Sequence, residues 1–182
     1  LTKLLTQPNN NIRLKACRPR IGIDPTLWLP MTTRERSRVI RWRIGFLPGK
    51  PTRCWCAQDN SLTTIAHLTA CFHLHLELEV PPNSNIDPIS YVLNKLLKNP
   101  PKEPHRQEYW SRIWPELCAI LYNIDSCCHP DEDFTPSKDP DPGRLLLKWI
   151  QSANKNPFDR FSQRHQNLNS LGNDSQSLYE AS

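Results

Sequence analysis

The apolar residues of this chain fall into short runs at helical spacing, separated by proline-rich breaks. Leu62, Ile65, Ala66, Leu68 and Phe72 form one such set, and Ile89, Val92, Leu93, Leu96 and Leu97 another. A period near 3.6 puts each set on one helix face. Thr32-Thr33-Arg34-Glu35 fits a capping box, so a helix is predicted from there to about Ile44, where Gly45, Pro48 and Gly49 stop it. Ser61 or Thr63 can cap the next helix, which runs through about Phe72. The HLHLELEV that follows alternates with period 2 and reads as a strand or a frayed helix end. Asp87-Pro88 joins an N-cap to the residue favoured at the first helical position. HRQEYWSRIW and PELCAILYNID predict two further helices, or one kinked at Pro115; in the second, Leu117, Ile120, Leu121 and Ile124 repeat at helical spacing. A last helix is predicted from Arg144 to Ala153, with Leu145, Leu146, Trp149 and Ile150.

The expected fold class is therefore mainly α: five or six short helices, a small metal-clasped loop or hairpin around Cys54–Cys56, irregular Pro-rich connections and disordered tails. Residues 1–30 read as an irregular linker that docks through Leu27, Trp28 and Leu29. Residues 31–128 carry the basic helix and the helical domain, 129–142 an acidic Pro-rich loop, 143–153 the C-terminal helix and 154–182 a polar disordered tail. The eighteen prolines, about 10% of the 182 residues, support long irregular connections around a modest core.

Charge changes this picture by its placement. The net charge is +5. Between Arg34 and Arg53 there are seven cations and one acid, Glu35; between Asp125 and Asp141 there are six acids and one Lys, Lys138. That asymmetry suggests one surface facing a polyanion and one solvated acidic loop. On a helical wheel Arg34, Arg38 and Arg41 fall within about 60° of one another on a polar edge, and Lys50 and Arg53 extend it. These five are the candidate nucleic-acid-binding residues, against the plainer view of a solvated helix face. Arg36 and Arg43 land in the apolar face, where they snorkel outward or pair with acids elsewhere. No apolar run approaches the roughly 20 residues of a membrane span, so no membrane partner is expected. The first ten residues lack the pattern of a secretory signal. Beginning at Leu1 and not Met, the chain reads as a fragment of something longer.

The densest chemistry is C-x-C-x10-H-x3-C: Cys54, Cys56, His67 and Cys71. A tetrahedral Zn²⁺ with Zn–S near 2.3 Å holds two sulfurs roughly 3.8 Å apart. Residues i and i+2 of an extended segment share a side, and i and i+4 of a helix share a face. Two thiolates from Cys54 and Cys56, with His67 and Cys71, can thus close one tetrahedron, and one zinc ion is the expected cofactor. The alternative is ordinary buried thiols and a surface histidine, but Cys54 and Cys56 sit in a polar, cationic loop. Seven cysteines, an odd number, exclude a complete disulfide framework, and clustered Cys and His then favour metal in an intracellular setting. His73 and His75 rival His67, with His73 the nearer rival. Cys118, Cys127, Cys128 and His129 form a weaker second cluster, read by default as buried thiols.

Catalytic motifs are missing. Gly45 to Pro51 has three residues between its glycines where a phosphate loop needs four, and Pro after Lys50. There is no G-x-S-x-G, no H-E-x-x-H and no Asp-Asp pair. Asp131, Glu132, Asp133, Asp139 and Asp141 lie in a proline-rich loop and read as solvated. No catalytic residue is assigned, and the chain is not expected to be an enzyme on its own.

Residues 24 to 129 resemble the C-terminal region of LINE-type (non-LTR) retrotransposon reverse transcriptases. The resemblance rests on Cys54, Cys56, Thr64 three residues before His67, Leu68 and Cys71, preceded by the basic RERSRVIRWRIGFLPGKPTRC; DPTLWLPM and NIDPISYVLNKL are similar to such elements in fungi. Thr63 stands where the family often has an acid, and the Cys pair is closer than usual. The resemblance implies a zinc-binding tail beside an upstream polymerase domain, gripping template RNA or target DNA during target-primed reverse transcription, and a nuclear place of action. The competing expectation is a helical protein–protein interaction module anchored by Trp42, Trp55, Trp110 and Trp114. Salt separates the two, because phosphate binding weakens steeply with salt and an apolar interface does not.

Overall fold

A computed structural model describes residues 22–56, 61–129 and 139–152. Among these the chain is mainly helical and has no strand. After a 3-10 turn (Pro25–Leu27) come α1 (Thr33–Ile44), α2 (Ile65–Cys71), α3 (Leu74–Glu77), α4 (Pro88–Asn94), α5 (Pro104–Cys128) and α6 (Arg144–Gln151). The linker residues 1–21, most of the acidic loop and the tail expected at 154–182 lie outside the described residues.

The spine is α5, which packs against both α1 and α6. It is one helix of 25 residues with Pro115 inside it, not two. A proline there costs about 3 kcal/mol. Trp110, Ile113, Trp114, Leu117, Ile120, Leu121 and Ile124 are all buried on both sides of it, and each buried apolar side chain contributes about 1.5–3 kcal/mol. Continuity across the proline therefore wins.

The capping box of α1 forms as its spacing predicts. Thr32 Oγ1 accepts from the Glu35 N–H at 3.2 Å, and Glu35 Oε2 accepts from the Thr32 N–H at 2.7 Å. The second oxygen of Glu35 does more: it accepts from the Gly143 N–H at 2.6 Å. The one acid of the basic stretch is thus buried and ties the start of α1 to the start of α6. Gly143 has φ 79° and lies so close to Trp114 that an added Cβ would meet Cδ1 at 2.5 Å. At the other end of α1, Gly45 turns left-handed and Leu47 is buried, which anchors the PGKP turn. The 3-10 turn docks through Leu29, fully buried, and through Trp28, which meets Trp149 edge-on at 6.3 Å; Leu27 is exposed.

Three local expectations change. The cap of α2 is Thr64, whose Oγ1 accepts from the His67 N–H at 3.2 Å. Ser61 is instead bonded to Cys56, and buried Thr63 accepts from the Thr52 N–H at 2.8 Å. HLHLELEV is neither strand nor continuous helix: His73 adopts φ 49° straight after α2, and a single turn, α3, follows. For α4, Asp87 caps Ser90 at 2.8 Å as expected, but the helix ends at Asn94, so Leu96 and Leu97 reach the core from the segment beyond it.

Substituting Gly143→Ala adds a clashing Cβ at a left-handed position. We expect a loss of at least about 2 kcal/mol of stability, read as a lowered urea midpoint; an unchanged midpoint would show that the Trp114 contact yields freely.

Candidate metal centre and basic surface

The clasped loop begins with an antiparallel bridge between Arg53 and Leu62. Its flanking hydrogen bonds run from the Cys54 N–H to Ser61 O at 2.9 Å and from the Thr63 N–H to Thr52 O at 2.8 Å. This is a single bridge, less than the hairpin that the sequence allows. It is enough to fix side-chain alternation: Arg53 and Trp55 are exposed, Cys54 is buried and Cys56 is half-buried. The thiols therefore turn inward. On the facing side, Thr64 caps α2 and sets the phase that presents His67 and Cys71 one turn apart.

The four expected ligands come together. One donor atom from each of Cys54, Cys56, His67 and Cys71 lies within 4.8 Å of the others, and this is the one such group found among the described residues. The Cys54 and Cys71 sulfurs are 4.0 Å apart, and the Cys56 sulfur is 3.4 Å from His67 Nε2. Around a tetrahedral cation with metal–sulfur near 2.3 Å and metal–nitrogen near 2.0 Å, these separations are roughly 3.8 and 3.5 Å. Three sulfurs and one imidazole nitrogen at this spacing can hold a metal ion. His73, the rival to His67, is exposed and outside the group.

The electrostatics point the same way. Burial, with the neighbouring Cys54 and Cys56, pushes the Cys71 thiol up to about 12. Without a cation Cys71 holds its proton; a cation at the centre displaces it, so metal uptake strengthens as pH rises. The second cysteine cluster does not join. Cys118 is buried against Glu35, and that burial and the nearby carboxylate push its thiol well above its ordinary value. Burial raises the Cys127 thiol too; the Trp55 backbone opposes the rise and the neighbouring Cys54 adds to it. Cys127, buried at the end of α5, is outside the ligand set. Cys128, buried and hydrogen-bonded to Thr63, is pushed up to about 11, mainly by burial.

The arginine stripe divides. Arg38 is buried, and its Nε lies 3.0 Å from Asp125 Oδ2. Arg41 Nη2 reaches the same oxygen at 2.6 Å. Arg38 also lies over the Tyr122 ring at 5.0 Å. The expectation that Arg38 and Arg41 line an open binding edge is therefore corrected: both are locked to α5. Asp125 itself is part of that helix and not of a solvated loop. Arg34 is exposed and lines a small cleft with Asp139. Lys50 and Arg53 are exposed, and among the described residues neither enters an ion pair. The two arginines assigned to the apolar face are structural. Arg36 donates to Thr26 O and, at 2.6 Å, to Leu29 O; Arg43 donates to Asn94 Oδ1 at 2.6 Å and pairs with Asp24 at 3.4 Å.

Of the four tryptophans considered as interface anchors, Trp42, Trp110 and Trp114 are in the core, and Trp42 Nε1 donates to Ser90 Oγ at 3.2 Å. Only Trp55 of that set is exposed. Sequence reasoning missed Asp125 and the second role of Glu35. The signal for Asp125 was present: it follows Ile124 at the edge of the α5 apolar stripe, where an unpaired acid is costly. No family model, no curated protein and no solved structure matches the chain.

Two outcomes follow from this geometry. Purified protein should carry one metal ion per chain by elemental analysis. A Cys54→Ser, Cys71→Ser double variant should lose it, and Cys127→Ser and Cys118→Ser should keep it; retention by the double variant would refute the ligand set. Separately, burial opposes ionisation of Asp125, but Arg41 and Arg38 outweigh it and hold the carboxyl below its ordinary value. A depressed folded pKa adds stability above the unfolded carboxylate value, near 3.9, that is lost as pH falls through the folded value. Asp125→Asn should cost about 2–3 kcal/mol at neutral pH and less in acid. Equal losses at pH 7 and in strong acid would contradict the pairing.

Proposed function

We propose that the chain is a zinc-clasped nucleic-acid-binding segment. The observation that carries this reading is the division of the ligand loop into two faces: thiols inward, Lys50 and Arg53 outward and outside any ion pair seen among the described residues. A donor set of three thiolates and one imidazole in tetrahedral spacing suits Zn²⁺ better than hard cations, which take oxygen ligands. The ion would organise the loop and carry out no reaction. Cations on a loop fixed in this way meet phosphate oxygens without first having to order the chain, which lowers the entropic cost of binding.

On this reading the resemblance to LINE-type reverse transcriptases gives the setting. The segment would sit beside a polymerase domain, hold template RNA or target DNA during target-primed reverse transcription, and act in the nucleus on chromosomal DNA. Thr64 as the cap that orients His67 gives that motif position a physical role. The interaction-module reading loses its main support with the burial of Trp42, Trp110 and Trp114.

The test is salt-dependent affinity. Each phosphate contact contributes about 0.7 to the slope of log affinity against log salt on a single strand. Lys50→Ala with Arg53→Ala should flatten that slope by about 1.4 while metal content stays intact. An unchanged slope and affinity would remove these two residues from the interface.

A further inference from the structure

We infer that Trp55 is a stacking platform for an unpaired base, and that the strand this loop takes is therefore single-stranded. The inference rests on the nucleic-acid reading above and adds the form of the ligand. Trp55 is 66% exposed, the most exposed of the six tryptophans. Trp42, Trp110 and Trp114 are buried, while Trp28 and Trp149 lie against each other. An indole left in water between two inward-turned cysteines does nothing for the core.

Its mount is rigid. Cys54 and Cys56 on either side are cluster residues. The Cys54 N–H is held by Ser61 O at 2.9 Å. Arg53 precedes it by two residues, on the same side of an extended segment. Leu62 lies opposite Arg53 in the bridge and is half exposed. Lys50 is exposed on the turn before, and so is Phe46.

This is an indole face flanked by cations. A protein partner would have to bring acids to Lys50 and Arg53 and an apolar pocket for Trp55. A single strand carries both complements in every nucleotide: a phosphate for the cations and a π-face for the indole. A duplex offers the phosphates alone, because its base faces are covered by their neighbours. Stacking of this kind tolerates any sequence and either sugar.

The experiment measures binding of the metal-loaded full chain to a short labelled oligonucleotide, made as RNA and as DNA. Each is tested single-stranded, annealed to its complement, and as an abasic strand that keeps its phosphates. The parent should prefer the single strand to both the duplex and the abasic strand. Trp55→Ala should weaken single-strand binding about 5- to 100-fold without changing the salt slope, should bind abasic and intact strands alike, and Trp55→Phe should restore most of the loss. If Trp55→Ala binds the single strand as the parent does, or if the parent does not distinguish abasic from intact strands, the platform is overturned. If Lys50→Ala, Arg53→Ala still weakens binding in that case, the nucleic-acid reading stands without it. A parent that binds none of the probes at low salt overturns both.

Discussion

Three thiol sulfurs and an imidazole nitrogen held within 4.8 Å of one another form an arrangement that a protein does not keep without a reason. Thiolates so close repel, and thiols so close and half-buried forgo solvation. Little else secures the surrounding chain. Between Leu47 and Leu68 the described residues that are buried are Pro48, Cys54 and Thr63. The bridge of Arg53 to Leu62 supplies two backbone hydrogen bonds, each worth about 1 kcal/mol net. Apolar burial, which holds α5 against α1 and α6, is nearly absent here. A cation at the centre would supply what the loop lacks, because its binding energy is also folding energy for the ligands' segment. The bridge sets the direction of Arg53 and the Thr64 cap sets the phase of α2; the cluster is what joins the two.

The basic helix next to the loop answers to a different demand. Asp125 gathers Arg38 and Arg41 at one carboxylate oxygen, with His129 Nδ1 3.2 Å from the other. The pairing neutralises charge at the α1–α5 contact, where an unpaired guanidinium would be costly. Glu35 makes the matching link at the other end of α1, to Gly143. A run of seven cations that looks uniform in sequence is thus divided by acids distant in the chain, Asp125 for Arg38 and Arg41 and Asp24 for Arg43. Part of it is internal structure, and Lys50 and Arg53 beside the cluster remain turned to solvent. Basicity alone does not locate a polyanion surface; the partners left inside the protein decide it.

Much of this was legible because its cause is local. The capping box at Thr32 and Glu35, the Asp87-Pro88 start, the apolar stripes and the spacing of Cys54, Cys56, His67 and Cys71 act within a few residues or one turn. The failures share the opposite property. Arg38 and Asp125 are separated by 87 positions, and Glu35 and Gly143 by 108, so no periodicity within α1 could assign those arginines. Pro115 allows two helices or one, and the burial of Ile113, Trp114 and Leu117 around it decides for one. The α2 cap was misplaced because Ser61 and Thr63, both good N-caps, are bonded to Cys56 and Thr52 across the loop. In each case a tertiary contact outweighs a local preference of about 1–3 kcal/mol.

Coordination of the ion by these four side chains is the central claim, and X-ray absorption at the zinc edge of the zinc-loaded chain reads it most directly. The geometry of Cys54, Cys56, His67 and Cys71 predicts a shell of three sulfurs near 2.3 Å and one nitrogen near 2.0 Å. A shell dominated by oxygen, or one with fewer than three sulfurs, would contradict it.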